Sequence, residues 1–169
     1  MIPLFLGLTL ANIAALILTI TLGYVSVGSN LTSNMRMWHT LSGALTLLLC
    51  IGVHCVVFTY FIATAKWIQH AVDVKHLKPE YTAPTRSFKA QAFPAALLAM
   101  LAVFVAAIGG ALVDNRYITV HVHHFLALGA LAINLICATV EYRAISSNGQ
   151  LIDQILADIP PGEIESQAM

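Results

Sequence analysis

Four apolar runs occupy most of this chain, at about 4–27, 37–62, 92–113 and 118–140, and they constrain the fold more than any motif does. A hydrocarbon layer is about 30 Å thick and a helix rises about 1.5 Å per residue, so roughly 20 apolar residues cross it. Each run meets that length. Charged residues make up only 9% of the 169 positions, against roughly 25% in a soluble domain. The expected fold is therefore all-α, an integral membrane four-helix up-down bundle over 1–143 with a tail over 144–169.

The links between runs set the expected topology. Gly28-Ser29-Asn30 is a turn signal after the first run, and Lys66-Trp67 forms an interfacial anchor pair after the second. The segment from Gln69 to Lys89 carries Pro79 and Pro84 and reads as a loop with one surface turn. The third run starts around Pro94, and the short link Asp114-Asn115-Arg116 predicts an antiparallel hairpin with the fourth. Beyond Arg143, Ile152, Ile155, Leu156 and Ile159 fall at helical spacing before Pro160-Pro161. This predicts a short amphipathic C-terminal helix that docks on a partner or on the bundle itself.

Basic residues divide unequally between the two ends of the spans. Lys66, Lys75, Lys78, Arg86, Lys89 and Arg143 fall on one side and Arg36 and Arg116 on the other, which predicts that both termini are cytoplasmic. The first run has no basic residues ahead of it and is expected to be retained as a span. The expected location is the inner (plasma) membrane of a bacterium, and the sequon Asn30-Leu31-Thr32 in the outward link carries no weight.

Several function classes find no support. Eight basic and eight acidic residues without a charged run do not suit nucleic-acid binding. Cys50, Cys55 and Cys137 lack C-x-x-C spacing and read as buried thiols. Cys55 follows His54 and points about 100° away from it, so no nucleophile and base pair up, and no phosphate-binding glycine loop is present. The seven histidines are split between both sides of the membrane, unlike the cytoplasmic histidine boxes of membrane di-iron hydroxylases. The chain is not expected to be an enzyme by itself.

Helical projection places the polar residues of three spans on single faces. These are Asn12, Thr19, Gly23 and Ser26 on the first, His39, Gly43, Thr46, Cys50 and His54 on the second, and His123, Ala130, Asn134, Cys137 and Glu141 on the fourth. The third has a small-residue row instead, Ala99, Ala102, Ala106 and Gly110, which admits a close helix neighbour. Asn12, His54 and Asn134 reach similar depths and are expected to form one buried polar layer. Glu141 is expected to pair with Arg143 or Lys66 near the headgroups, with a proton path as the alternative. Phe58-Thr59-Tyr60-Phe61 reads as an aromatic belt or as the lining of a quinone pocket.

Histidine is rare in a span and is the commonest metal ligand, so the histidines that open the second and fourth runs are the main functional lead. With spans two and four on a diagonal, His39 and His123 would face each other across the bundle, an arrangement suited to bis-histidine ligation of a haem b beside the small residues Gly43, Gly109, Gly110 and Gly129. His124 lies about 100° from His123 and is the second choice. A different arrangement of the same group, His39 with two of His121, His123 and His124, would give three imidazoles and suit copper or zinc. The third possibility is half-solvated histidines without a ligand.

In span count and histidine placement the chain resembles small four-helix b-type membrane cytochromes, a likeness of layout without a shared sequence signature. It implies a subunit that passes electrons through one haem between an outward donor and a quinone or partner protein. His54 has Asn134, not a histidine, at its depth on span four, so a second bis-histidine haem is not expected. The alternative is a structural accessory subunit of a membrane complex, self-associating or bound to other membrane subunits.

Overall fold

The computed structural model describes residues 1–28 and 33–159. The sequon at 30–32, the 29–30 turn and the proline pair at 160–161 lie outside the described residues. The chain forms four helices, α1 Ile2–Gly28, α2 Ser33–Val74, α3 Ala83–Asp114 and α4 Val120–Asp158, all long and apolar enough to cross a membrane. A single 3₁₀ turn, Pro79–Thr82, sits between α2 and α3.

Three helices, α2, α3 and α4, are longer than their apolar runs suggest. α2 has 42 residues, about 60 Å at 1.5 Å per residue, twice the thickness of a hydrocarbon layer. The expected loop from Gln69 to Lys89 is thus helix to Val74, a turn, the 3₁₀ segment, and α3 from Ala83. Proline did not break it, because Pro84 occupies the first turn of α3, where an amide hydrogen has no helical acceptor, and Pro94 is carried inside the helix.

The C-terminal stretch is likewise not a separate helix. α4 continues unbroken to Asp158, and Leu151 and Ile155 pack on Ile68, Ala71 and Val72 of α2, flanked by Leu77 and Tyr81. Ile155 of the tail's apolar stripe is therefore covered by its own chain and Ile152 and Ile159 partly so, while Leu156 stays exposed. The Tyr81 hydroxyl donates to the Asp158 carboxylate at 2.5 Å and ties the 3₁₀ turn to the end of α4.

Both described turns that end a helix use a left-handed residue. After α2, His76 has φ 50° and the Leu77 amide donates to the Val72 carbonyl; after α3, Arg116 has φ 63° and the Tyr117 amide donates to the Leu112 carbonyl. Each is a Schellman closure that satisfies carbonyls at the helix end.

Around the bundle, α1 packs on α2 and α4, and α3 packs on α4 and α2, whereas the backbones of α2 and α4 scarcely touch. The core is layered. Phe5, Val57, Phe61, Ala92, Ala144 and Ile145 form one cluster, and Leu16, Cys50, Val103, Ala106 and Ala130 another. Ala92, Ala95, Ala96, Ala99 and Ala106 of α3 are all buried, so the small-residue row is the face that meets α4 and α2. Large side chains such as Leu10, Leu48, Leu101 and Ile136 point outward.

A left-handed residue other than glycine costs roughly 1–2 kcal/mol. His76→Gly and Arg116→Gly are accordingly expected to stabilise the folded protein by about 1 kcal/mol each, and thermal unfolding in detergent measures the rise.

Candidate functional site: the polar file between α2 and α4

The gap between the diagonal helices is filled by polar side chains. Their projected faces are buried, with Thr46, Cys50 and His54 of α2 and Asn134, Cys137 and Glu141 of α4 all nearly inaccessible. The file has five levels.

At one end stand the histidines. The His39 and His123 rings lie with centroids 6.0 Å apart and planes at 69°. His39 Nδ1 is 3.0 Å from the Thr19 carbonyl oxygen, which can only accept, so Nδ1 carries the proton and the lone pair of the neutral ring is on Nε2. This is the usual way in which a backbone carbonyl orients a ligating histidine. His123 Nδ1 is buried beside α3 without a well-formed hydrogen bond. Glycines back both rings: a Cβ on Gly23 would come within 2.9 Å of His39 Cε1, and one on Gly110 within 3.3 Å of His123 Cε1. A Cβ at Gly109 would meet the Leu126 side chain at 2.8 Å. These close approaches explain three glycines in otherwise regular helix.

The other candidates at this end fall elsewhere. His124 packs on Tyr24 of α1, with centroids 4.4 Å apart, and His121 is exposed, its ring 6.5 Å from that of His124. Gly43 lies beside Thr19, where a Cβ would make only ordinary contact at 3.6 Å, and nothing lies close to Gly129. Among the described residues no three of His, Cys, Asp and Glu converge in a way that could hold a metal ion. The three-imidazole arrangement for copper or zinc is thus not assembled, because successive positions on α4 splay His121, His123 and His124 over different directions.

One level deeper, Thr19 and Thr46 share a hydrogen bond of 2.9 Å between hydroxyls. Below them Asn134 is the hub. Its amide nitrogen donates to the Ala130 and Ala99 carbonyls, and its oxygen accepts from the Asn12 amide at 3.2 Å and from the Cys50 thiol at 3.6 Å. All four helices meet in these contacts. Asn12 and Asn134 share a layer, but His54 is not part of it.

His54 bonds instead to Glu141, Nδ1 to Oε1, at 2.9 Å. Both side chains are almost wholly buried, at 4% and 1% exposure, so Glu141 is not paired with Arg143 or Lys66 as its position near the end of the apolar run suggested. α4 does not stop at that point, and the continuation keeps Glu141 inside the bundle while Arg143 and Lys66 point outward. His54 Nε2 and Glu141 Oε2 have no hydrogen-bond partner among the described residues.

The last level was not singled out from the sequence. Asn148 donates to the Tyr60 hydroxyl at 3.0 Å and to the Thr64 hydroxyl at 3.1 Å, again from α4 to α2. Asn148 lies seven residues after Glu141 and fourteen after Asn134, so it continues the same stripe; the signal was present but fell beyond the supposed end of the span. Tyr60, read as part of an aromatic belt or a quinone pocket, is bonded into this level. Cys55, Val56, Thr59, Tyr60 and Ala63 border a shallow apolar groove with Met1, open along the outer surface.

No protein-family model, curated protein or solved structure matches this chain.

Removing the Asn134 side chain unpairs the Asn12 amide and the Cys50 thiol together. Asn134→Ala is expected to cost about 1–3 kcal/mol, the penalty for buried polar groups left unsatisfied, while Ile136→Ala on the outward face changes little. Denaturation in mixed detergent micelles compares the two.

Proposed function

We propose that this protein is a small membrane subunit that holds one haem b between His39 and His123 for electron transfer. The observation that carries the reading is the facing pair of imidazoles on the diagonal helices, one of them oriented by a backbone carbonyl and both seated on glycine. The two rings come from different helices, with centroids 6.0 Å apart. Two ligands suffice for a haem iron, whose macrocycle supplies the rest.

Within the reading, each residue has a defined task. His39 and His123 would hold the iron, the Thr19 carbonyl fixes the tautomer of His39, and Gly23 and Gly110 allow the rings to lie against the helix backbones. A haem bound there supplies one-electron redox chemistry. The apolar outer surface keeps the site within the lipid layer, and the donor and acceptor are partner proteins or a quinone.

The topology we propose is up-down, with both termini cytoplasmic and the histidine end facing outward, in the inner membrane of a bacterium. Support comes from the order of the levels, since Gly23 at the end of α1 meets His39 near the start of α2, and Gly109 and Gly110 at the end of α3 meet His123 near the start of α4. The excess of lysine and arginine at the opposite end supports the orientation.

Visible absorption of protein produced with ample haem, before and after dithionite, tests the assignment. One haem per chain is expected, lost in His39→Ala and in His123→Ala, retained in His121→Ala and His124→Ala, and reduced in occupancy by Gly23→Ala. No Soret band in such a preparation, or an unchanged spectrum in His39→Ala, sinks the haem reading. The accessory-subunit reading then stands, with the polar file acting only to set helix register.

A further inference from the structure

The buried pair deeper in the bundle has no part in holding a haem, and its chemistry is different. His54 and Glu141 meet at 2.9 Å with both side chains almost fully enclosed, and each keeps one polar atom, Nε2 and Oε2, without a hydrogen-bond partner among the described residues. Neither atom is explained by packing. A pair that served only to lock register would be expected to satisfy its remaining nitrogen and oxygen, since an orphaned polar group in a low-dielectric interior costs about 1–3 kcal/mol.

We propose that His54 and Glu141 form a proton-binding site inside the bundle, loaded with one proton from the end at which Tyr60, Thr64 and Asn148 lie. With neutral His54 and ionised Glu141 the pair carries one negative charge, unfavourable in a hydrocarbon surrounding. A proton arriving on Nε2 makes His54 an imidazolium that still donates Nδ1–H to Oε1, and the pair becomes net neutral. No electron moves and no bond other than N–H forms. The site's ligand is the proton itself, carried in by water.

The two sides of the pair differ. Above it, Asn134 uses its amide on two backbone carbonyls and its oxygen on Asn12 and Cys50, which leaves Asn12 Oδ1 as the unbonded atom of that level. Below it, Asn148 Oδ1 is also buried without a partner and lies two turns from Glu141 on the same face, about 10 Å along α4. Buried water typically binds between such unsatisfied atoms. Tyr60 and Thr64 add hydroxyls to that side, both part-exposed.

The titratable groups that face the pair are Cys50 on α2, beside His54, and Cys137 on α4, beside Glu141. α3 presents buried alanines at this depth, Ala95 and Ala99 among them. Glu141 is thus the one acidic side chain facing His54 within this group.

Infrared spectroscopy of the lipid-reconstituted protein, titrated between about pH 5 and pH 9, tests the proposal without reference to haem. Wild type is expected to show a reversible imidazole and carboxylate change that is absent from Glu141→Gln. After a rapid pH jump, Tyr60→Phe combined with Asn148→Leu is expected to slow that change several-fold and leave its midpoint in place. A merely structural pair would give neither effect. Should Glu141→Gln fail to fold, nitrogen-15 resonances of histidine-labelled wild type report the buried imidazole directly. The proposal is overturned by a buried imidazole that keeps one protonation state throughout, or by an unchanged loading rate in the double variant.

Discussion

Hydrocarbon offers a polar side chain no hydrogen bond, so in a membrane-spanning bundle each polar group has to find its partner on another helix. In this protein the demand is met mainly along one diagonal. α2 and α4 barely approach through their backbones, yet His54 with Glu141, Cys50 with Asn134, and Tyr60 and Thr64 with Asn148 all bridge them. The polar file occupies the space between the diagonal helices, and α1 and α3 close its two sides.

Asn134 has the widest reach within that file. Through one amide it touches α1, α2 and α3, so a rotation or shift of any helix would break a bond at the centre. The alanine face of α3 complements it, because a small side chain at Ala99 lets the Asn134 amide reach the carbonyl of that very residue. A register set in this way carries outward to the ends of the bundle, where glycine against imidazole leaves little tolerance.

The same hub separates two chemistries. Toward one end lie the facing imidazoles of His39 and His123, proposed to hold a haem; beyond the hub lies an imidazole bound to a carboxylate. What distinguishes them is the partner on the ring nitrogen. His39 gives Nδ1 to a backbone carbonyl, which orients the ring, whereas His54 gives Nδ1 to a carboxylate.

Apolar run length alone determined that there are four helices able to cross a membrane, and period 3.6 alone determined which face is polar on three of them and small on the other. Those faces are buried as projected, because in lipid a polar stripe has nowhere to go except inward. The helix ends were not legible. Run length reports where a chain can sit in hydrocarbon, and α2 and α4 continue past that limit because Ile68, Ala71 and Val72 find Leu151 and Ile155 to cover them, a contact between residues some eighty positions apart. Pairing was decided by tertiary structure for the same reason. Projection places His54, Asn134 and Glu141 on facing stripes, but the relative depth of two helices fixes which of them meet, and it assigns Asn12 to Asn134 and His54 to Glu141. Only the packed bundle could choose His123 over His121 and His124 as the neighbour of His39, since that choice depends on how α4 is rotated against α3.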